Sequence, residues 1–303
     1  MYEQISSNKR RSVVLVAGFV ALVLLVGWAV DLLFGFGLAG LLIALVIAGG
    51  MSAVSYWKSD SVALAMSHAR PADPTEYARL HNLVEGLCIA AGLPKPRVYV
   101  IDDVAPNAFA TGRNPRHAAV AVTTGLLEKM NRVELEGVLA HELSHVKNYD
   151  ILVSTLAVTL VGVIALLADF SLRFMWWGGP RRRDRQSNGG AGPQAVFAIV
   201  GLVLLILAPL VARVMQATIS RRREALADVS GVALTRYPPG LISALEKLKE
   251  DTTVVHSSSR ATAHLWVESP LARTPEEGRL SRLNRLFDTH PPLEERIQAL
   301  KEL

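Results

Sequence analysis

Cysteine, aromatic residues and charge are all scarce in this 303-residue chain. The single cysteine, Cys88, excludes an internal disulfide, so packing alone must hold the fold. It falls on the apolar stripe of a helical pattern, where a buried, inert thiol is expected, and this is compatible with a reducing compartment. Aromatic residues make up 6% of the chain and the net charge is a modest +5. No basic patch is interleaved with aromatics, which leaves no nucleic-acid-binding surface to propose. Charged residues reach 19%, below the roughly one quarter of ordinary soluble domains. Half the residues are hydrophobic and the mean hydropathy is +0.30, which points to a membrane protein. No internal repeat is evident.

The apolar residues are gathered into runs. Lys9-Arg10-Arg11 precede a run from Val13 to Val30, and a second, Leu32–Tyr56, follows after Asp31 alone. Each matches the ~20 apolar residues that cross a bilayer. The first is long for a signal peptide, has no small-x-small cleavage site and is followed at once by another span. The pair therefore reads as a transmembrane hairpin, with Trp57 at the interface and the basic N-terminus inside. A third run, Ile151–Ala168, and a fourth, Ala195–Val214, enclose Trp176-Trp177, Arg181-Arg182-Arg183-Asp184-Arg185 and a Gly/Ser/Asn segment. Spanning would put these arginines outside, against the positive-inside tendency; a shallow hairpin that never crosses avoids this. Run length favours spanning, and either arrangement returns the chain to the same side.

Between and after the runs the pattern is that of a soluble domain in two pieces. Pro74 starts a helix with the stripe Tyr77, Leu80, Val84, Leu87 and Cys88, and Gly92 ends it. Arg97–Ile101 and Ala118–Thr123 are short strands. Asn107–Gly112 reads either as a plain hairpin strand or as a sheet edge whose unpaired backbone groups a peptide could join. Late in the chain, Ser220–Leu234 is helical, Pro238-Pro239-Gly240 breaks it, and Leu241–Lys249, Pro275–Phe287 and Pro292–Leu300 follow as helices. The expected organisation is residues 1–57 as the first hairpin, 58–150 as the first part of a catalytic domain, 151–214 as the second hairpin and 215–303 as the second part.

The chemistry concentrates in Glu134–Asp150. Asn131 with Glu134 forms a capping-box pattern, and Leu135, Val138, Leu139, Leu143 and Val146 recur at helical spacing. Within this helix His141-Glu142-Leu143-Ser144-His145 puts two imidazoles one turn apart on one face, able to share a zinc ion. Glu142 lies on the neighbouring arc, within reach of a water but not needed as a ligand. Hydrolytic zinc sites take three protein ligands. Glu224, His256, His264 and His290 are available for the third place. Glu224 is the expected ligand: Asp228, four residues on, shares its face and can accept the free ring N–H of a ligand histidine. His256 and His264 sit in a loosely patterned loop, where a ligand would be poorly held.

Taken in order, these features resemble the HtpX-type membrane zinc metallopeptidases, bacterial relatives of the CAAX prenyl endopeptidases. The resemblance rests on the paired N-terminal runs, Asn107–Gly112, His141–His145, two apolar runs before Glu224–Asp228, and Thr289-His290-Pro291-Pro292 with Glu295-Arg296. It implies a mainly α membrane protein with four transmembrane helices and a zincin-like (gluzincin) α+β protease domain containing a small sheet. It implies one Zn2+ per subunit on His141, His145 and Glu224, with Glu142 catalytic. It also implies that Asn107, Ala108, Phe109 and Ala110 line the substrate cleft and that His290 lies near the reacting carbonyl, although a capping or packing role before Pro291 fits His290 equally. The resemblance further implies a multi-pass protein of the bacterial inner membrane, its catalytic domain facing the cytoplasm. Its expected role is quality control of membrane or unfolded proteins under stress, with other membrane proteases among its partners. Two rivals stand against a surface-facing protease. An intramembrane protease would have to bury Glu134, Glu136, Lys147, Asn148 and Asp150 in hydrocarbon. A non-catalytic scaffold or transporter subunit would leave the metal structural or absent, yet no charge lies well inside any run to suggest a translocation path.

Overall fold

The computed structural model describes residues 2–34, 37–157, 160, 221–251, 253, 266–267 and 291–303. The first two apolar runs become long helices, α1 (Tyr2–Phe34) and α2 (Gly37–Met66), which pack along each other. Among the described residues one segment, Leu42–Met66, is long and apolar enough to cross a bilayer. Most of the third run and all of the fourth, with the arginine cluster, lie outside the described residues, so a count of four spans does not follow from this structure. The same holds for Pro275–Phe287, His256, His264 and His290.

After α2 the chain builds a four-stranded mixed sheet in the order β1-β2-β4-β3. The strands are β1 (Arg70–Pro71), β2 (Arg97–Ile101), β3 (Ala108–Gly112) and β4 (Ala118–Thr123). β2 runs parallel to β4, in register Val98 with Val120, and β3 runs antiparallel to β4, Ala108 with Val122. β3 is thus an edge strand, as one of the two sequence readings had it. Helix α3 (Ala78–Ala91) crosses between β1 and β2 and ends at Gly92, which takes the left-handed conformation (φ 66°) that the close of the helix requires. It begins four residues after Pro74, because the Asp73 carboxylate first captures Thr75 and the Glu76 N–H in a turn.

Short α4 (Thr124–Lys129) leads into α5 (Arg132–Lys147), the centre of the molecule. Asn131 caps α5: its side chain accepts from the N–H groups of Val133 and Glu134, and Glu134 accepts from the Asn131 N–H at 2.8 Å. One apolar face was expected, but α5 is enclosed on almost every side by α3, β3, α6 (Arg221–Thr235) and α7 (Pro238–Glu250). Enclosure is affordable for Glu134 because Lys247 Nζ and Ser243 Oγ both donate to it at 2.7 Å. Pro238 and Pro239 do not merely break the chain. They occupy the first turn of α7, where the missing N–H costs nothing. Helix α8 (Leu293–Lys301) closes the domain against α6 and α7.

Glycines set the distances around α5. A Cβ at Gly137 would stand 2.8 Å from the Leu241 N, and one at Gly231 would stand 3.0 Å from the His141 N. α7 and α6 therefore approach the α5 backbone more closely than any larger residue permits. Gly231 lies three residues after Asp228 and seven after Glu224, so this approach aims one face of α6 at His141.

Candidate metal centre

His141 and His145 project from α5 with their Nε2 atoms 3.1 Å apart. Glu224 faces both from α6: Oε2 is 3.6 Å from His141 Nε2 and Oε1 is 3.6 Å from His145 Nε2. One ligand atom from each residue falls within a 4.8 Å cluster. Tetrahedral zinc with ~2.1 Å bonds separates its ligand atoms by about 3.4 Å, so the donor triangle has the right size.

The outer ring atoms explain why the inner ones converge. His141 Nδ1 is 2.8 Å from Asp228 Oδ1, and His145 Nδ1 is 3.1 Å from Asp150 Oδ2. A carboxylate at Nδ1 holds the proton there and turns the Nε2 lone pair inward. Two such lone pairs at 3.1 Å repel each other unless a cation or proton lies between them. The donor set therefore fits a zinc ion, and without one it binds a proton. Burial opposes charge on His145, but Glu224, Asp150 and Glu142 outweigh it and raise its pKa to about 9. Burial alone would likewise raise Asp228, yet Arg296 and His141 hold it down at about 2.

Two of these supports, Arg296 and Asp150, lie in stretches that the sequence reading singled out, but it gave neither residue a role at the metal. Arg296, on α8, grips Asp228 with Nε at 2.9 Å and Nη2 at 2.7 Å, a two-pronged pair buried at 3% exposure. Asp150 reaches His145 because Tyr149, in the left-handed region at φ 61°, turns the chain back after α5. Such a conformation costs a non-glycine residue about 1 kcal/mol or more. A carboxylate five residues past the second histidine, just beyond the helix, is the one sequence signal that was available for it.

Glu142 is buried beside the histidines, at 3% exposure, and its charge acts on both His145 and Arg296. Asn107, Ala108, Phe109 and Ala110 are buried in and before β3, which packs on α5. The edge of β3 carries partners at Ala108 and Gly112. The Gly112 N–H donates to Thr155 Oγ1 at 3.2 Å, and Ala108 N–H to Asn107 Oδ1 at 3.0 Å. The Ala108 carbonyl accepts from the Val267 N–H at 2.9 Å, and the Val267 carbonyl accepts from Arg296 Nη1 at 3.3 Å. Trp266 anchors this dipeptide edge-on against Phe109, ring centroids 4.9 Å apart. His290 lies outside the described residues.

Comparison with known proteins agrees with this centre. The model of peptidase family M48 matches residues 74–303. The protease HtpX homolog of Thermoanaerobacter pseudethanolicus is 44% identical over 305 residues, covering 100% of this chain and 98% of its own. That of Limosilactobacillus fermentum is 47% identical over 306 residues, with both chains covered in full. Among solved structures, Ste24p of S. mikatae superposes with a TM-score of 0.50 at 18% identity, covering 99% of this chain and 67% of its own; the likeness is one of fold. Family match, full-length relatives and a buried His-His-Glu cluster agree with the resemblance read from the motifs, and the chain belongs to peptidase family M48 as an HtpX-type metalloprotease.

Proposed function

We propose that the protein is a zinc-dependent, membrane-anchored endopeptidase that cuts membrane or unfolded proteins. The observation that carries this reading is the pair of Nε2 atoms 3.1 Å apart, each ring fixed from behind by a carboxylate, with Glu224 3.6 Å from both. His141, His145 and Glu224 hold the ion. When bound, zinc supplies Lewis-acid chemistry, making a water acidic near neutral pH and polarising a peptide carbonyl. Glu142, next to His141 in the chain and outside the ligand set, takes the proton of the attacking water and delivers it to the leaving amine. Asp228 and Asp150 keep the imidazoles in the ligating tautomer throughout. His290 is a further candidate to donate to the oxyanion.

An extended substrate is proposed to lie along β3, in the place of Val267. Its backbone N–H would take the Ala108 carbonyl, and its carbonyl would take Arg296 Nη1, the two partners that Val267 now uses. α2 supports an anchor in the membrane, the basic N-terminus supports a catalytic domain on the cytoplasmic side, and the likeness to HtpX proteases supports a bacterial inner-membrane location. The test is metal analysis of detergent-purified protein together with casein cleavage, with and without a chelator. Zinc in stoichiometric amount and cleavage that stops on chelation are expected. Metal-free protein, or cleavage indifferent to chelation, overturns the reading.

A further inference from the structure

We propose that Asn8 is a positioning residue for the metal centre, holding from the N-terminal helix the Asp150 carboxylate that orients His145. The proposal rests on the reading of His145 as a metal ligand. Asn8 is 2% exposed although it sits among polar residues in the first turns of α1. Its Nδ2 donates two hydrogen bonds, to Asp150 Oδ1 at 2.7 Å and to the Asn148 carbonyl at 2.9 Å. Both acceptors belong to the turn that follows α5, and both are buried, at 5% and 3% exposure. Asp150 Oδ2, the other oxygen of that carboxylate, is the one 3.1 Å from His145 Nδ1. One amide thus fixes the turn through its backbone and the carboxylate through its side chain.

The clamp has a competitor, which is why it is needed. Arg223 Nη1 lies 3.6 Å from Asp150 Oδ1, longer than a hydrogen bond. Arg223 is buried at 7% exposure, and its Nε and Nη2 have no hydrogen-bond partner among the described residues. A free Asp150 carboxylate would rotate to meet that guanidinium with both oxygens, the geometry such pairs prefer. His145 would then lose the acceptor that sets its tautomer. Asn8 occupies Oδ1 and keeps Oδ2 turned to the ring. Lys9, the next residue, places Nζ 5.0 Å from the centroid of the Tyr149 ring, so the same stretch of α1 also rests on the strained residue of the turn.

The experiment measures the zinc Kd of detergent-purified full-length chains by competition with a chromogenic chelator. Asn8→Ala and Asn8→Leu are both made, so that a cavity is not mistaken for lost hydrogen bonds. Among the described residues Ser12→Ala removes one bond, within α1 to the Asn8 carbonyl, and serves as control. Both Asn8 variants should bind zinc about tenfold more weakly, the lower range for partners behind a metal ligand, and Ser12→Ala should match the parent. In an Asp150→Ala background, Asn8→Ala should add no further loss, because the group it acts through is gone. Parental affinity in the Asn8 variants overturns the proposal. So does an equal loss in Ser12→Ala, or an additive loss in the Asp150→Ala background, since either marks general loosening. A parent chain that binds no zinc removes the metal centre itself, and the clamp with it.

Discussion

Gly231→Ala tests whether the approach of α6 to α5 sets the metal site. The new Cβ would meet the His141 N at 3.0 Å, its Cα at 3.2 Å and the Ala140 carbonyl carbon at 3.3 Å. These are backbone atoms in the buried middle of α5, so no side chain can swing aside. Normal contact lies at about 3.5–4 Å, so α6 must recede by roughly half an ångström. Two energies oppose each other in the fold. Alanine in a helix gains about 1 kcal/mol over glycine, and overpacking costs about 1–3 kcal/mol. The net effect on the metal-free protein is a loss of no more than about 2 kcal/mol. The site has no such compensation, because ligand distances tolerate only about 0.2 Å. Glu224 travels with α6, so zinc affinity should fall by about tenfold or more. The assay pairs a urea melt of the metal-free chain with a zinc titration. A variant that melts about 1 kcal/mol higher than the parent and binds zinc as tightly would refute the close-approach argument.

Three further outcomes follow from the site. Glu142→Gln should retain zinc and lose casein cleavage by about a hundredfold or more, the scale of a general base; cleavage at the parental rate would remove Glu142 from that role. His145, with its pKa raised to about 9, carries a proton in the metal-free chain at neutral pH. Zinc must displace that proton, so affinity should rise with pH up to about 9 and level off above it, and calorimetry in buffers of different ionisation enthalpy should register the release. By the same sign, the proton's contribution to metal-free stability is complete below the ordinary histidine value of about 6.5. It disappears as pH rises through about 9. Val267→Pro removes the N–H that reaches the Ala108 carbonyl and should lower KM for casein several-fold with kcat unchanged; an unchanged or raised KM would count against substrate entry along β3.

What the sequence disclosed depended on distance along the chain. His141 and His145 are one helical turn apart, and Asn131 and Glu134 are three residues apart, so local periodicity placed them before any fold was known. Glu224 and Asp228 were legible because their spacing puts both on one face and their chemistry suits a histidine pair. Gly231, on the same face, carried no such sign: its meaning is a contact with the His141 backbone, created only when α6 packs on α5. Arg296 belonged to a recognised stretch, but its grip on Asp228 crosses 68 residues. Asn8 and Asp150 meet across 142 residues, one from a helix read only as an anchor. Pro238 and Pro239 do separate two helices as expected, but the second helix starts at Pro238 and not at Leu241, since proline breaks a helix interior but suits a first turn.

Zinc-edge X-ray absorption on the purified full-length chain addresses the centre itself. The parent spectrum should fit two imidazole nitrogens and carboxylate oxygen at about 2.0–2.2 Å, and Glu224→Ala should lose the carboxylate contribution together with most of the bound zinc. A parent spectrum without imidazole scattering, or one that Glu224→Ala leaves unchanged, would contradict the proposed ligand set.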